Sequence, residues 1–121
     1  MPYSDPLITI TNLRLRTFIG FNPEEREKLQ DVVLNIRIRY TATAAAMTQD
    51  TVDEALNYKT VTKRIIALVE QGHFLLLEKL VTDVLSICYE HPSVTYASVT
   101  ADKPHALRFA DSVSLTLEYH R

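Results

Sequence analysis

The stretch "DVVLNIRIRYT", Asp31 to Thr41, sets Val32, Leu34, Ile36, Ile38 and Tyr40 against Val33, Asn35, Arg37 and Arg39. Apolar and largely polar residues alternate with a period of two, the spacing of a strand with one buried face. Working outward, Leu7 to Ile19 reads as a strand before it. The intervening "GFNPEEREKLQ", with Gly20, Asn22 and Pro23, reads as a loop or long hairpin connection. After it, "TATAAAMTQDTVDEALNY" reads as an irregular crossover with a short helical piece, for which Thr51 and Glu54 offer a capping pair. From Lys59 to Gln71, Val61, Ile65, Leu68 and Val69 recur at helical spacing, and Gly72 is a natural stop. A second helix is predicted from Leu75 to His91, just ahead of Pro92. Val94 to Ala101 and Ser112 to Tyr119 are predicted as the last two strands.

The order ββααββ predicts an α+β domain, with two helices on one face of a four-stranded, mainly antiparallel sheet. Residues 1–121 read as a single domain, long enough for a real core. The second sheet face, with Asn35, Arg37, Arg39, Ser114 and Thr116, is too polar for a core and can stay uncovered. Open sheets leave edge strands that invite pairing with another copy. A homo-oligomer is therefore expected, its sheets joined edge to edge into a ring or barrel with the polar face inside.

Lys and Arg total 13 against 15 Asp and Glu, a net charge of −2, which argues against a nucleic-acid partner. The one cysteine, Cys88, cannot form an internal disulfide. It recurs with Leu77, Leu80, Val81 and Val84 at helical spacing and reads as a buried core thiol in a reducing compartment. The opening "MPYSDPLITI" shows no basic region followed by an apolar run, and no apolar run is long enough for a bilayer. The expectation is a cytoplasmic protein with no membrane partner.

Four polar residues stand out by their neighbours. Glu78, in "FLLLEKLV", is an acid among leucines at the start of the second helix. It is either a charge favoured by the helix dipole or a carboxylate offered to a ligand with two parallel N–H donors. Tyr58, in "EALNYKT", is a boundary aromatic or a site residue. Glu25, in "NPEERE", is one of several loop charges or a site acid. Lys103 precedes Pro104, which biases it toward extended backbone and restricts its amine. His73, His91, His105 and His120 are scattered, without the short spacing of a metal site. Gly20 and Gly72 are the only glycines, so a glycine-rich phosphate cradle is excluded and any phosphate must be held by side chains.

With "IGF" then Glu25, "ALNY", "LLLEKL" and "DKP" in order over nearly the whole chain, the sequence resembles the dihydroneopterin aldolase family of the tunnelling (T-) fold. Within it, "NLRLRTFIG", "ALNYKTVTK", "LLEKL" and "DKPHALRFADSVS" resemble the dihydroneopterin triphosphate 2′-epimerase branch. The resemblance implies a pterin substrate, no cofactor, no metal, and a homo-octamer of two stacked tetrameric rings. It implies that Glu78 anchors the pterin with backbone near Leu77, that Lys103 is the catalytic lysine and that Glu25 is the acid at the mouth. Tyr58 would reach the site from the adjacent subunit, with Leu56 and Asn57 beside the pterin; some aldolases carry a histidine where Asn57 stands. The expected reaction is epimerisation at C2′ of the phosphorylated substrate. Its rivals are a plain aldolase of folate biosynthesis and a non-catalytic T-fold oligomer that binds pterins or purines. A triphosphate would draw on Arg108 and His105 in "DKPHALRFADS", with Arg14 and Arg16 of the first strand either assisting or forming a solvated strand face.

Overall fold

The computed structural model describes residues 3–50, 52 and 56–121. In chain order the elements are β1 (Leu7–Ile19), α1 (Pro23–Arg26), β2 (Gln30–Tyr40), α2 (Ala44–Thr48), α3 (Tyr58–Glu70), β3 (His73–Phe74), α4 (Leu77–Cys88), β4 (Val94–Lys103) and β5 (Val113–His120). The sheet runs β3-β1-β2-β4-β5. Among the described residues, no helix is long and apolar enough to cross a membrane.

The alternation in β2 decides the layering. Val32, Leu34, Ile36 and Ile38 are fully buried, while Asp31 and Arg37 are exposed. Apolar rows cross four strands in register: Ile8, Ile38, Ala97 and Tyr119; then Ile10, Ile36, Val99 and Leu117; then Leu13, Leu34, Ala101 and Leu115. Over them lie Ile65 and Val69 of α3, and Leu80, Val81, Val84, Leu85 and Cys88 of α4. Burial pushes the Cys88 thiol up to about 12, which fits an inert core group. The opposite face carries Thr9, Arg37, Ser98 and Glu118 in one row and Asn35, Thr100 and Thr116 in another.

These rows hold only because β1 changes phase. Its core residues are Ile8 and Ile10 upstream but Leu13 and Leu15 downstream, a switch from even to odd positions. A bulge between Ile10 and Leu13 absorbs the extra residue. Asn12 takes φ 53°, and its amide donates to Asn35 Oδ1 at 2.9 Å while Asn35 Nδ2 donates back to Asn12 Oδ1 at 3.2 Å. Asparagine is the ordinary non-glycine tenant of that left-handed region.

Three expectations need correction. The sheet has five strands, because His73 and Phe74 pair in parallel with Phe18 and Ile19 along the free outer edge of β1. Two residues are too few to leave an alternation pattern. The second helix is shorter than 75–91: Leu76 is still extended at φ −125°, ψ 139°, and Tyr89 leaves the helix, its ring stacked on Tyr119. The charged connection after β1 contains the one-turn helix α1. The short helical piece expected in the crossover is α2, Ala44–Thr48, capped by Thr43, whose hydroxyl accepts from Ala46 N; the capping pair read at Thr51 and Glu54 lies outside the described residues. Gly72 directly follows the end of α3, the stop expected there, without left-handed backbone. Gln71 caps α3, and a Cβ on Gly72 would lie 2.3 Å from the Phe74 ring.

The bulge makes a testable demand. Asn12→Val forces a β-branched residue into left-handed backbone and removes the Asn35 contact, an expected loss of about 2–3 kcal/mol. Asn12→Gly removes only the side-chain contact, and about 1 kcal/mol or less is expected. Urea midpoints of the two variants check the ranking, and an equal loss in both would mean that backbone strain at this position is immaterial.

Candidate active site

The apolar rows stop short of the sheet's end. Lys103 occupies the same β4 face as Val99 and Ala101, opposite Val113 of β5, where another core residue would stand. Its stem continues the core, and its side chain is only 13 % exposed. The ammonium donates to Glu25 Oε2 at 2.7 Å and to the Ile19 carbonyl at 3.4 Å.

Glu25 reaches the lysine from α1, whose start is set by Pro23 after the extended Asn22. The Lys103 ammonium hydrogen-bonded to Glu25 holds its carboxyl below the ordinary range against the opposing effect of burial. Gly20 makes room for it. At φ +147° a Cβ there would lie 2.3 Å from Glu25 Cδ and 2.5 Å from Oε2. Gln30, which sequence reasoning missed, closes the arrangement by donating to the Ile19 carbonyl at 2.7 Å.

Glu78 arrives from a third direction. The Gly20 amide donates to the Phe74 carbonyl at 3.0 Å, so the short β3 ties the start of α4 to the end of β1. Leu76 provides no side-chain cap, leaving the first amides of α4 near Leu77 open toward the cavity. The Glu78 carboxylate is in the first turn, favoured by the helix dipole, and makes no hydrogen bond among the described residues. It is exposed at the cavity wall.

Glu25, Leu77, Glu78 and Lys103 thus line one cavity of about 500 Å³, with Leu75, Leu76, Leu107, Val113 and Leu115 as apolar walls. That size and lining suit a small planar ligand held by a few polar groups. Leu56 and Asn57 line a different cavity of about 370 Å³, beside Arg64, Cys88 and His91. Leu56 is part of the core, and Asn57 caps α3 by accepting from Lys59 N and Thr60 N. Tyr58 follows it on the outside, 54 % exposed, and does not line the Lys103 cavity.

The cationic candidates divide. Arg16 pairs with its cross-strand partner Asp31, Nε to Oδ1 3.2 Å, and donates from Nη2 to the Leu29 carbonyl at 3.0 Å. His105 Nε2 stands 3.9 Å from the other Asp31 oxygen. Arg14 is two residues back on the same exposed face of β1. Arg108 lies over the Phe109 ring, 5.3 Å from its centroid, and does not line the Lys103 cavity. Asp31 was not read as a site residue from sequence; counting back along the hairpin would have set it opposite Arg16.

The lowered Glu25 group predicts an acid dependence. Its stabilising contribution is present above the unfolded carboxyl value of about 4.3 and is lost as pH falls through the lower folded value. Urea midpoints measured from pH 6 downward should fall less steeply for Glu25→Gln than for the parent below about pH 4.3. Parallel curves would mean that the pair contributes nothing to folding.

Residues 8–118 match the family described as "FolB: Dihydroneopterin aldolase". The chain is 56 % identical over 95 % of each sequence to a dihydroneopterin triphosphate 2′-epimerase of Escherichia coli, and 49 % identical over the full length of both to one of Pseudomonas aeruginosa. It superposes on the Escherichia coli dihydroneopterin aldolase in complex with neopterin with a TM-score of 0.85, at 24 % identity, covering 94 % of this chain and 98 % of that one. The chain belongs to the dihydroneopterin aldolase family and has its α+β T-fold.

Proposed function

We propose that this protein inverts C2′ of 7,8-dihydroneopterin triphosphate, giving dihydromonapterin triphosphate, by cleaving and re-forming the C1′–C2′ bond. The observation that carries this reading is the single cavity joining a helix-start carboxylate, Glu78, to the Lys103–Glu25 pair across apolar walls. The epimerase relatives support inversion over cleavage alone.

In this reading Glu78 accepts the pterin N3–H and 2-amino group in a bidentate contact, beside the open amides near Leu77. The C6=N5 imine of the substrate is the electron sink, so the reaction needs neither a Schiff base nor a cofactor. Lys103 serves the 2′-hydroxyl, directly or through water, and Glu25 orients it. As that proton leaves, the C1′–C2′ electron pair moves toward C6, N5 takes a proton, and the C2′ fragment becomes an aldehyde. Rotation of the aldehyde followed by attack of the enamine carbon on its other face restores the bond with C2′ inverted. Escape of the aldehyde, with a proton added at C1′, is the aldolase outcome. A dihydroneopterin aldolase is thus the second reading, favoured by the family description itself.

Tyr58 is the second proton-transfer group in this scheme and would come from a neighbouring subunit together with Leu56 and Asn57. Its exposure, and its distance in the fold from the Lys103 cavity, support that arrangement. So do the exposed apolar side chains Phe21, Leu75, Leu76 and Leu107 at or near the cavity and the outer edge of β5, unpaired among the described residues. We infer an octamer of two stacked tetrameric rings.

Incubation with phosphorylated and free dihydroneopterin, followed by chiral separation, should yield mainly the C2′ epimer from the former. Cleaved pterin as the main product from both would favour the aldolase. Glu78→Ala should weaken pterin binding by about 1.5–3 kcal/mol, roughly tenfold to hundredfold, in calorimetry. Because the residue is exposed, the fold should survive, and unchanged affinity would move the pterin elsewhere. Mixing the weakly active variants Tyr58→Phe and Lys103→Ala should restore activity after subunit exchange, since a mixed interface regains one intact site. No recovery after verified exchange would mean that each site is built within one subunit.

A further inference from the structure

Beyond Lys103 the main cavity meets a smaller groove of about 170 Å³ that shares Lys103 and Ala106 with it. The groove is lined further by Arg16, Leu29, Gln30, Asp31 and His105. Among the described residues lining the main cavity, Lys103 is the one cation, and Glu25 already holds it. A strongly anionic tail therefore finds no counter-charge until it passes the lysine. In the groove it meets a guanidinium and an imidazole, both turned on the same carboxylate, Asp31. Gln30 has its amide nitrogen committed to the Ile19 carbonyl, leaving Arg16 and His105 as the groups free to change partner.

We propose that this groove receives the terminal phosphates of the substrate, and that Asp31 is a resident anion which they displace from Arg16 and His105. The proposal rests on the phosphorylated-substrate reading above and adds where the tail lies and what selects it. A polyphosphate offers several anionic oxygens to the guanidinium fork and outcompetes one exposed carboxylate. A neutral triol tail cannot, so Arg16 stays paired with Asp31 and the groove gives free dihydroneopterin nothing. Asp31 thereby works as a charge filter. Arg108, over Phe109 and outside both cavities, has no part in it.

The test is the ratio of kcat/KM for dihydroneopterin triphosphate to that for dihydroneopterin, together with inhibition by inorganic tripolyphosphate. Arg16→Gln should lower the ratio about tenfold to hundredfold and weaken tripolyphosphate inhibition by a similar factor. Asp31→Asn removes a like charge a few ångströms from the phosphates and should raise the ratio about fivefold at low salt, less at high salt. The Arg16–Asp31 pair is exposed on both sides, so neither variant threatens the fold. A parent protein that turns over both substrates equally would overturn the reading of the activity, and the groove with it. A clear parent preference left unmoved by both variants, or lowered more by Arg108→Ala than by Arg16→Gln, would overturn the groove alone.

Discussion

The site hangs on one peptide unit, Ile19–Gly20, at the end of β1. Its carbonyl accepts from both Gln30 and Lys103. Its amide donates to Phe74 and so fixes the approach to α4. The glycine's missing Cβ leaves the volume that Glu25 fills. Three chain segments far apart in sequence meet there, and each contributes one polar group: α1 gives Glu25, α4 gives Glu78 and β4 gives Lys103. A backbone hub suits this task, because its donors and acceptors cannot rotate away as side chains can.

The chemistry grows out of the core and is not an addition to it. Lys103 stands where the next buried aliphatic residue of its row would be, so its stem is packed and its amine emerges at the boundary. Glu25 balances that charge before any substrate arrives. Glu78 remains open in the first turn of a helix without a side-chain cap. One end of the cavity is thus an anion, unpaired among the described residues and suited to a planar donor pair, and the other is a satisfied ion pair suited to moving protons. The apolar walls between them lower the local dielectric and strengthen both.

Much of this was legible in the sequence. The alternation in Asp31–Tyr40 gave the buried face residue by residue, and the span of β1 was read to its end residues. What escaped was information carried by backbone. β3 consists of two residues whose pairing depends on a free edge, which no side-chain pattern encodes. The bulge at Asn12 does leave a trace, the shift from Ile8 and Ile10 to Leu13 and Leu15, but it disappears when the strand is read as one uniform segment. The site divides in the same way. Glu25, Leu77, Glu78 and Lys103 lie together, whereas Leu56, Asn57 and Tyr58 lie apart from them within one chain, because α3 starts on another side of the helical layer. Of the loop cations, proximity in sequence favoured Arg108 beside His105, yet the strand register brings Arg16 to His105 by way of Asp31.

Gly20 and Glu25 constrain each other in a way that bears on how such a site can drift. A side chain at position 20 collides with Glu25 and also meets an unfavourable φ of +147°. Shortening residue 25 would not relieve the collision, because its own Cβ stands 2.5 Å from that point; it would strip Lys103 of its carboxylate and leave the backbone conformation as costly as before. Either first step is harmful and neither makes the other acceptable. Position 20 is thus confined to glycine by its backbone and, separately, by any residue at position 25 that carries a Cβ.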